Sequence, residues 1–125
     1  MARIMLIDDV ASIRSIVASM LQKRGHRLFL AASGEEAIEI AKTKRMHLAI
    51  TDVNMPGMDG LTLIRHLRTF EHLKETPIVV LAKGASDTNI EKAKAVGAND
   101  WIAKPFTEES LNNKINQILV DYYVT

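Results

Sequence analysis

The chain has 125 residues, a formal net charge of +1, 47% apolar and 25% charged residues, and no cysteine. Length and composition fit one soluble domain with its own core, and the missing cysteines exclude disulfides, thiolate metal sites and a cysteine nucleophile. Near-neutral charge, 5% aromatics and the lack of an apolar run near the ~18 residues of a membrane helix argue against a nucleic-acid binder or a membrane protein.

Ile4-Met5-Leu6-Ile7 is an unbroken apolar run that ends on Asp8-Asp9. It is too short for a signal-peptide core, so the expected location is cytoplasmic, and it reads as a strand covered on both faces. Ile13, Ile16, Val17, Met20 and Leu21 then recur at helical spacing and predict one inward helix face, stopped by Lys23-Arg24-Gly25. Leu28-Phe29-Leu30-Ala31 is the second strand, and Ser33 with Glu36 forms a capping-box pattern for the second helix. Lys42, Lys44 and Arg45 read as its solvated end. Leu48 to Thr51 is the third strand; its Pro- and Gly-rich loop, Asp52 to Gly60, leads to a helix carrying Leu61, Ile64 and Leu67, with Asp59-Gly60 as the turn before it. Ile78 to Leu81 is the fourth strand, followed by a helix from about Asp87 to Gly97. Trp101-Ile102-Ala103 is the fifth, and Thr107 caps a last helix with Leu111, Ile115, Ile118, Leu119 and Tyr122 inward. His26, His47, His66 and His72 have no ligand spacing and read as surface residues.

This alternation predicts an α/β fold, a doubly wound parallel (βα)5 sheet with helices on both faces. The first, third and fourth strands are the most continuously apolar, hence central, and the order 2-1-3-4-5 follows. Residues 1–125 are expected to be one domain without an output domain. Ligands of such sheets bind beyond the carboxyl ends of the strands, where the strand order reverses. There the order brings Asp8 and Asp9 beside Asp52. At ~4 Å each like-charge pair costs about 1 kcal/mol in water and about 4 kcal/mol at an effective dielectric of ~20. Lys104, at the end of the fifth strand, can offset part of that cost. A divalent cation is the other candidate, and oxygen ligands suit Mg²⁺.

Those residues also carry a resemblance. Met5-Leu6-Ile7-Asp8-Asp9, the segment Thr51-Asp52-Val53-Asn54-Met55-Pro56-Gly57-Met58-Asp59-Gly60-Leu61, and Ala103-Lys104-Pro105-Phe106 resemble the receiver domains of two-component response regulators, above all the stand-alone chemotaxis type, CheY. The resemblance covers the whole chain, and the family has the same 2-1-3-4-5 order. It implies that Asp52 accepts a phosphoryl group from a histidine kinase or phosphotransfer protein. Asp8, Asp9, Asp52 and the Asn54 backbone carbonyl would hold Mg²⁺, Lys104 would contact the phosphoryl oxygens, and the Lys104–Pro105 peptide would be cis. It further implies a signalling module rather than an enzyme, assisting only its own phosphotransfer and dephosphorylation. The output partner would be a flagellar-motor or kinase-complex protein, met by the fourth helix, fifth strand and fifth helix, with Lys92, Trp101, Lys114 and Asn112 as contact residues.

One position departs from the family. A Thr or Ser that bonds the phosphoryl group normally follows the fourth strand's apolar run, and its movement lets an aromatic residue on the fifth strand swing inward. Ala82 stands there, while Trp101 fills the aromatic position. A hydrogen bond to a charged group contributes roughly 1.5–3 kcal/mol and allosteric coupling is typically about 1–3 kcal/mol, so this loss is large enough to remove most of the coupling. Strand alternation turns Lys83 away from Ala82; the segment Gly84 to Ser86 is the remaining source of a donor. The alternative reading is therefore a pseudo-receiver with the same partner surface and a weakened switch. A Mg²⁺-dependent phosphohydrolase with Asp52 as nucleophile would need a second Asp where Asn54 stands. A flavin protein would need a phosphate loop where Asp8-Asp9-Val10 stands.

Overall fold

The computed structural model describes residues 1–84 and 86–123. Five strands, β1 (Arg3–Ile7), β2 (Arg27–Ala31), β3 (Leu48–Asp52), β4 (Ile78–Ala82) and β5 (Asp100–Ala103), form one parallel sheet in the order β2-β1-β3-β4-β5. Between and after them run α1 (Ala11–Gln22), α2 (Gly34–Thr43), α3 (Gly60–Leu67), α4 (Asn89–Val96) and α5 (Glu108–Tyr123). The expected order and central strands are both observed. A 3-10 turn at Glu71–Leu73, unmarked by any periodicity, joins α3 to β4.

Strand alternation makes two cores. Met5 and Ile7 face α2, α3 and α4, where Ala37, Ala41, Leu63, Ile64 and Ala93 are buried. Ile4 and Leu6 face α1 and α5, where Val17, Leu21, Leu111 and Ile115 are buried. β4 and the middles of β1 and β3 are apolar and buried because helices cover both faces there, whereas β2 at the sheet edge keeps Arg27 and Leu30 exposed. The helix ends follow local chemistry. Ser33 accepts the Glu36 amide at 3.1 Å, Asp59 the Thr62 amide at 2.8 Å and Thr107 the Ser110 amide at 3.0 Å, and α4 stops at Gly97 in a left-handed conformation, φ 124°.

Four expectations are corrected. The buried stripe of α1 is Val17, Ala18 and Leu21, whereas Ile13 and Ile16 are exposed, because the first turns overhang a pocket instead of the sheet. Tyr122 is exposed rather than inward: the 16 residues of α5 outrun the strands it lies on, and its last turn projects past them. There the Tyr123 hydroxyl donates to the His47 carbonyl at 2.6 Å. Asn112 is buried, not a surface contact residue; its Nδ2 donates to the Met20 and Glu108 carbonyls between α1 and α5.

Histidine is the fourth. His66 is exposed, but His26, His47 and His72 are half-buried. His72 Nε2 lies 2.7 Å from the Ala41 carbonyl. His26 Nδ1 accepts the Ala2 amide at 3.1 Å and His47 Nδ1 the Arg3 amide at 2.9 Å, so both neutral rings carry their proton on Nε2. Burial, the first cause for each, holds both below the usual histidine pKa, reinforced at His47 by the Arg3 guanidinium. A folded-state pKa depressed below the unfolded ~6.5 means the neutral form is favoured by folding. The contribution is complete above pH ~6.5 and is lost as pH falls below it. The urea midpoint is expected to drop between pH 7.5 and 5.5, and to drop less in His26→Asn/His47→Asn, whose amide oxygens accept from the same place without titrating. Equal drops in the two proteins would refute the assignment.

Candidate functional site

Parallel register sets the site. Ile7 pairs with Thr51, so Asp8 and Asp52 follow at the same level on adjacent chains. Asp52 pairs with Leu81 and Leu81 with Ile102, so Lys104 lies two residues beyond that level on β5 and its long side chain reaches back to Asp52. Asp8 is 2% exposed. Its amide donates to the Ala31 carbonyl at 3.1 Å, its carbonyl accepts Arg14 Nη1 at 2.6 Å, and its Oδ1 accepts the Val10 amide at 2.9 Å. At Asp52, Oδ1 accepts the Asn54 amide at 3.1 Å and Oδ2 accepts Lys104 Nζ at 2.7 Å. The Lys104 amide in turn donates to the Ala82 carbonyl at 2.7 Å, and the Lys104–Pro105 peptide is cis. Arg14 carried no signal in the sequence: it falls off the apolar stripe and reaches back to a backbone atom.

Asp8, Asp52 and Lys104 line one pocket of about 280 Å³, whose remaining wall is apolar: Val10, Ile13, Ile16, Val17, Met20, Pro105 and Phe106. Burial raises the Asp8 pKa above the ordinary aspartate value; the Val10 amide opposes that shift, and the Asp52 and Asp9 charges add to it. Asp9 is half-buried and is not part of the pocket wall. Among the described residues no three acidic or histidine side chains converge as a metal cage. Mg²⁺ needs no such cage, since it binds through one or two carboxylates and keeps several waters, and the chemistry of the Asp8 and Asp52 oxygens with the Asn54 carbonyl fits it.

At the ends of β4 and β5 the switch positions differ in character. Ala82 is 2% exposed and presents only a methyl group. Lys83 is exposed, its amide held by Asp87 Oδ2 at 3.1 Å. Ser86 is exposed and Gly84 half-buried, while Ala85 between them lies outside the described residues. Trp101 is half-buried against the core beneath α2, α3 and α4. Of the expected contact residues, Lys92 is exposed and Lys114 pairs with Asp100 at 3.1 Å.

A doubly wound sheet with a carboxylate pair and a lysine at its switch point is an α/β domain of the kind that binds ligands beyond its strand ends. Residues 4–116 match the response regulator receiver domain, and the chain belongs to that family. It is 33% identical over 117 residues to the chemotaxis protein CheY-3 of Vibrio cholerae, covering 93% of this chain and 90% of that one. It is 29% identical over 119 residues to protein PilH of Pseudomonas aeruginosa, covering 95% and 98%. The structure of the chemotaxis response regulator CheY4 of Vibrio cholerae superposes with a TM-score of 0.90 at 37% identity, covering 94% of this chain and 98% of that one. The receiver domain of the sensor histidine kinase PA1611 of Pseudomonas aeruginosa, with a magnesium ion coordinated in its active-site cleft, gives 0.84 at 29% identity, covering 97% and 96%. The fold and the place in two-component signalling follow; receiver domains are in general signalling modules. Among the described residues no helix is long and apolar enough to cross a membrane.

Proposed function

We propose that the chain acts as one phosphorylation-controlled receiver unit, with Asp52 as its phosphoacceptor and Mg²⁺ held by Asp8, Asp9, Asp52 and the Asn54 carbonyl. The observation that carries this reading is the 2.7 Å contact between Lys104 Nζ and Asp52 Oδ2 beside the buried Asp8. A carboxylate oxygen of Asp52 attacks phosphorus, the bond from phosphorus to the donor's imidazole nitrogen breaks, and the electron pair stays on that nitrogen. Lys104 then turns from the carboxylate to the phosphoryl oxygens. Bound Mg²⁺ supplies charge stabilisation to the same oxygens.

The donor is a histidine kinase or phosphotransfer protein. Val10, Ile13 and Ile16 are 46%, 40% and 53% exposed around the pocket mouth, an apolar rim for the donor to pack against. The output partner is a protein of the chemotaxis machinery, such as a flagellar-motor component, met by α4, β5 and α5 through Trp101, Lys92 and Lys114. The test of the acceptor is acid-labile phosphate incorporation from acetyl phosphate with Mg²⁺. Wild type is expected to label and Asp52→Asn to lose all labelling; full labelling of the Asn variant removes the assignment.

One observation favours a second reading of the output. The buried end of β4 carries a methyl group at Ala82, where the family resemblance calls for the sensing hydroxyl. On this reading the protein binds its partners through the same surface while phosphorylation shifts that binding weakly.

A further inference from the structure

The corner between β2 and α2 touches both acid-bearing segments of the site. On one side the Ala31 carbonyl accepts the Asp8 amide at 3.1 Å. On the other, Gly34, the buried first residue of α2, lies under Met58 in the loop that follows Asp52. A Cβ on Gly34 would stand 2.7 Å from Met58 Sδ, 2.9 Å from its Cγ and 3.0 Å from its Cβ. The contact runs from the root of the side chain to its sulfur, so swinging the thioether end alone does not clear it. The root is fixed by its neighbours: Gly57 is left-handed at φ 76°, and Asp59 is bound to the Thr62 amide.

Nothing local asks for glycine at this position. The backbone of Gly34 is outside the left-handed region, which among the described glycines holds only Gly25, Gly57 and Gly97. What the position requires is the absence of a Cβ beneath Met58. A methyl group there would need a shift of about 0.7 Å to reach ordinary van der Waals separation, and displacements near 1 Å cost up to ~100-fold where reacting groups must be held in place.

We propose that Gly34 is a positioning residue for the Asp8–Asp52 pair. By seating Met58 it fixes the Asp52 loop against a corner that also holds Asp8, and so sets the spacing of the two carboxylates. The inference rests on the Mg²⁺ and phosphoacceptor reading above. The experiment is a Mg²⁺ titration followed by amide chemical shifts in wild type, Gly34→Ala, Met58→Ala and the double variant, with spectra of the metal-free proteins as a second readout. In Gly34→Ala the amides from Asp52 to Asp59 are expected to shift without metal, and the Mg²⁺ dissociation constant to rise about tenfold, the lower end for losing support of metal ligands. The double variant is expected to return to within about twofold of Met58→Ala, since removing the overlap removes the cost.

Wild-type affinity in Gly34→Ala, or a double variant impaired by the product of the single effects, overturns the inference alone. A wild type whose Asp8 and Asp52 amides ignore Mg²⁺ overturns the underlying reading, and this inference with it. If Gly34→Ala does not fold, the double variant decides: folding and binding support the seat, and failure to fold rejects it.

Discussion

Replacing Arg68 with alanine is expected to lower stability by at least about 3 kcal/mol and the melting temperature by roughly 10 °C. The Arg68 guanidinium donates to the carbonyls of Leu73 and Thr76, both at 2.6 Å, to the Gly97 carbonyl through Nε at 3.1 Å and Nη2 at 2.8 Å, and to Asn99 Oδ1 at 2.8 Å. Asn99 Oδ1 also accepts the Ile78 amide at 2.8 Å. One side chain thus ties the end of α3, the turn before β4, the start of β4 and the end of α4. Burial, the first cause, lowers its pKa from the ordinary arginine value, and its partners in these bonds are neutral oxygens. Hydrogen bonds to a charged group contribute roughly 1.5–3 kcal/mol each and are not additive; several lost together still amount to a large part of the about 5–15 kcal/mol that holds a domain. Arg68→Lys is expected to recover little, because one ammonium cannot reproduce the fork. Urea unfolding of the three proteins measures this, and a loss under 1 kcal/mol in Arg68→Ala would show that water replaces the side chain at no cost.

Gly60→Ala is expected to damage the site more than the fold. A Cβ at Gly60 would stand 2.5 Å from the Asp52 carbonyl oxygen and 2.7 Å from the Val53 Cα. Both are backbone atoms, so no rotamer change relieves the overlap, and the start of α3 must move off the end of β3. The bond from the Gly60 amide to the Val53 carbonyl, 2.8 Å, is strained with it. Overpacking of this kind costs about 1–3 kcal/mol. The displaced atoms belong to Asp52 and the residue after it, so the initial rate of labelling from acetyl phosphate is expected to fall at least about tenfold while the protein remains folded at 25 °C. A folded Gly60→Ala that labels at the wild-type rate would contradict this account of how Asp52 is held.

The strand order was legible because continuous apolar runs mark strands buried on both faces, and the acids at their ends marked the site. Lys104 was legible as a cation able to reach the acids from the end of the fifth strand, and its Nζ lies 2.7 Å from Asp52 Oδ2. Hidden from the sequence were features that depend on where an element stops over its neighbours. Ile13 and Ile16 have helical spacing and yet line a pocket, because α1 begins beyond the sheet. Tyr122 continues an inward pattern past the strands it would pack on. Asn112, polar and beside a second asparagine, reads as surface and is held between two helices. Arg14 and Arg68 act on backbone carbonyls, which no side-chain pattern records, and Gly34 acts by lacking an atom. The departure at Ala82 was plain in the sequence only because the family resemblance supplied the residue to compare.

The central claim is the acceptor site at Asp52, and the weakened relay is the second reading of its output. The measurement that tests it most directly compares amide spectra of wild type and Ala82→Thr in Mg²⁺, before and after beryllofluoride. In wild type, saturable shifts are expected at Asp8, at Asp52 to Asn54 and at Lys104, with small changes around Trp101 and α4. Ala82→Thr is expected to keep the first set and enlarge the second, because a ligand shifts an equilibrium only as far as its interactions with the two states differ. A wild-type spectrum unchanged at Asp52 would contradict the acceptor site, and a full shift across α4 and β5 that Ala82→Thr does not increase would contradict the weakened relay.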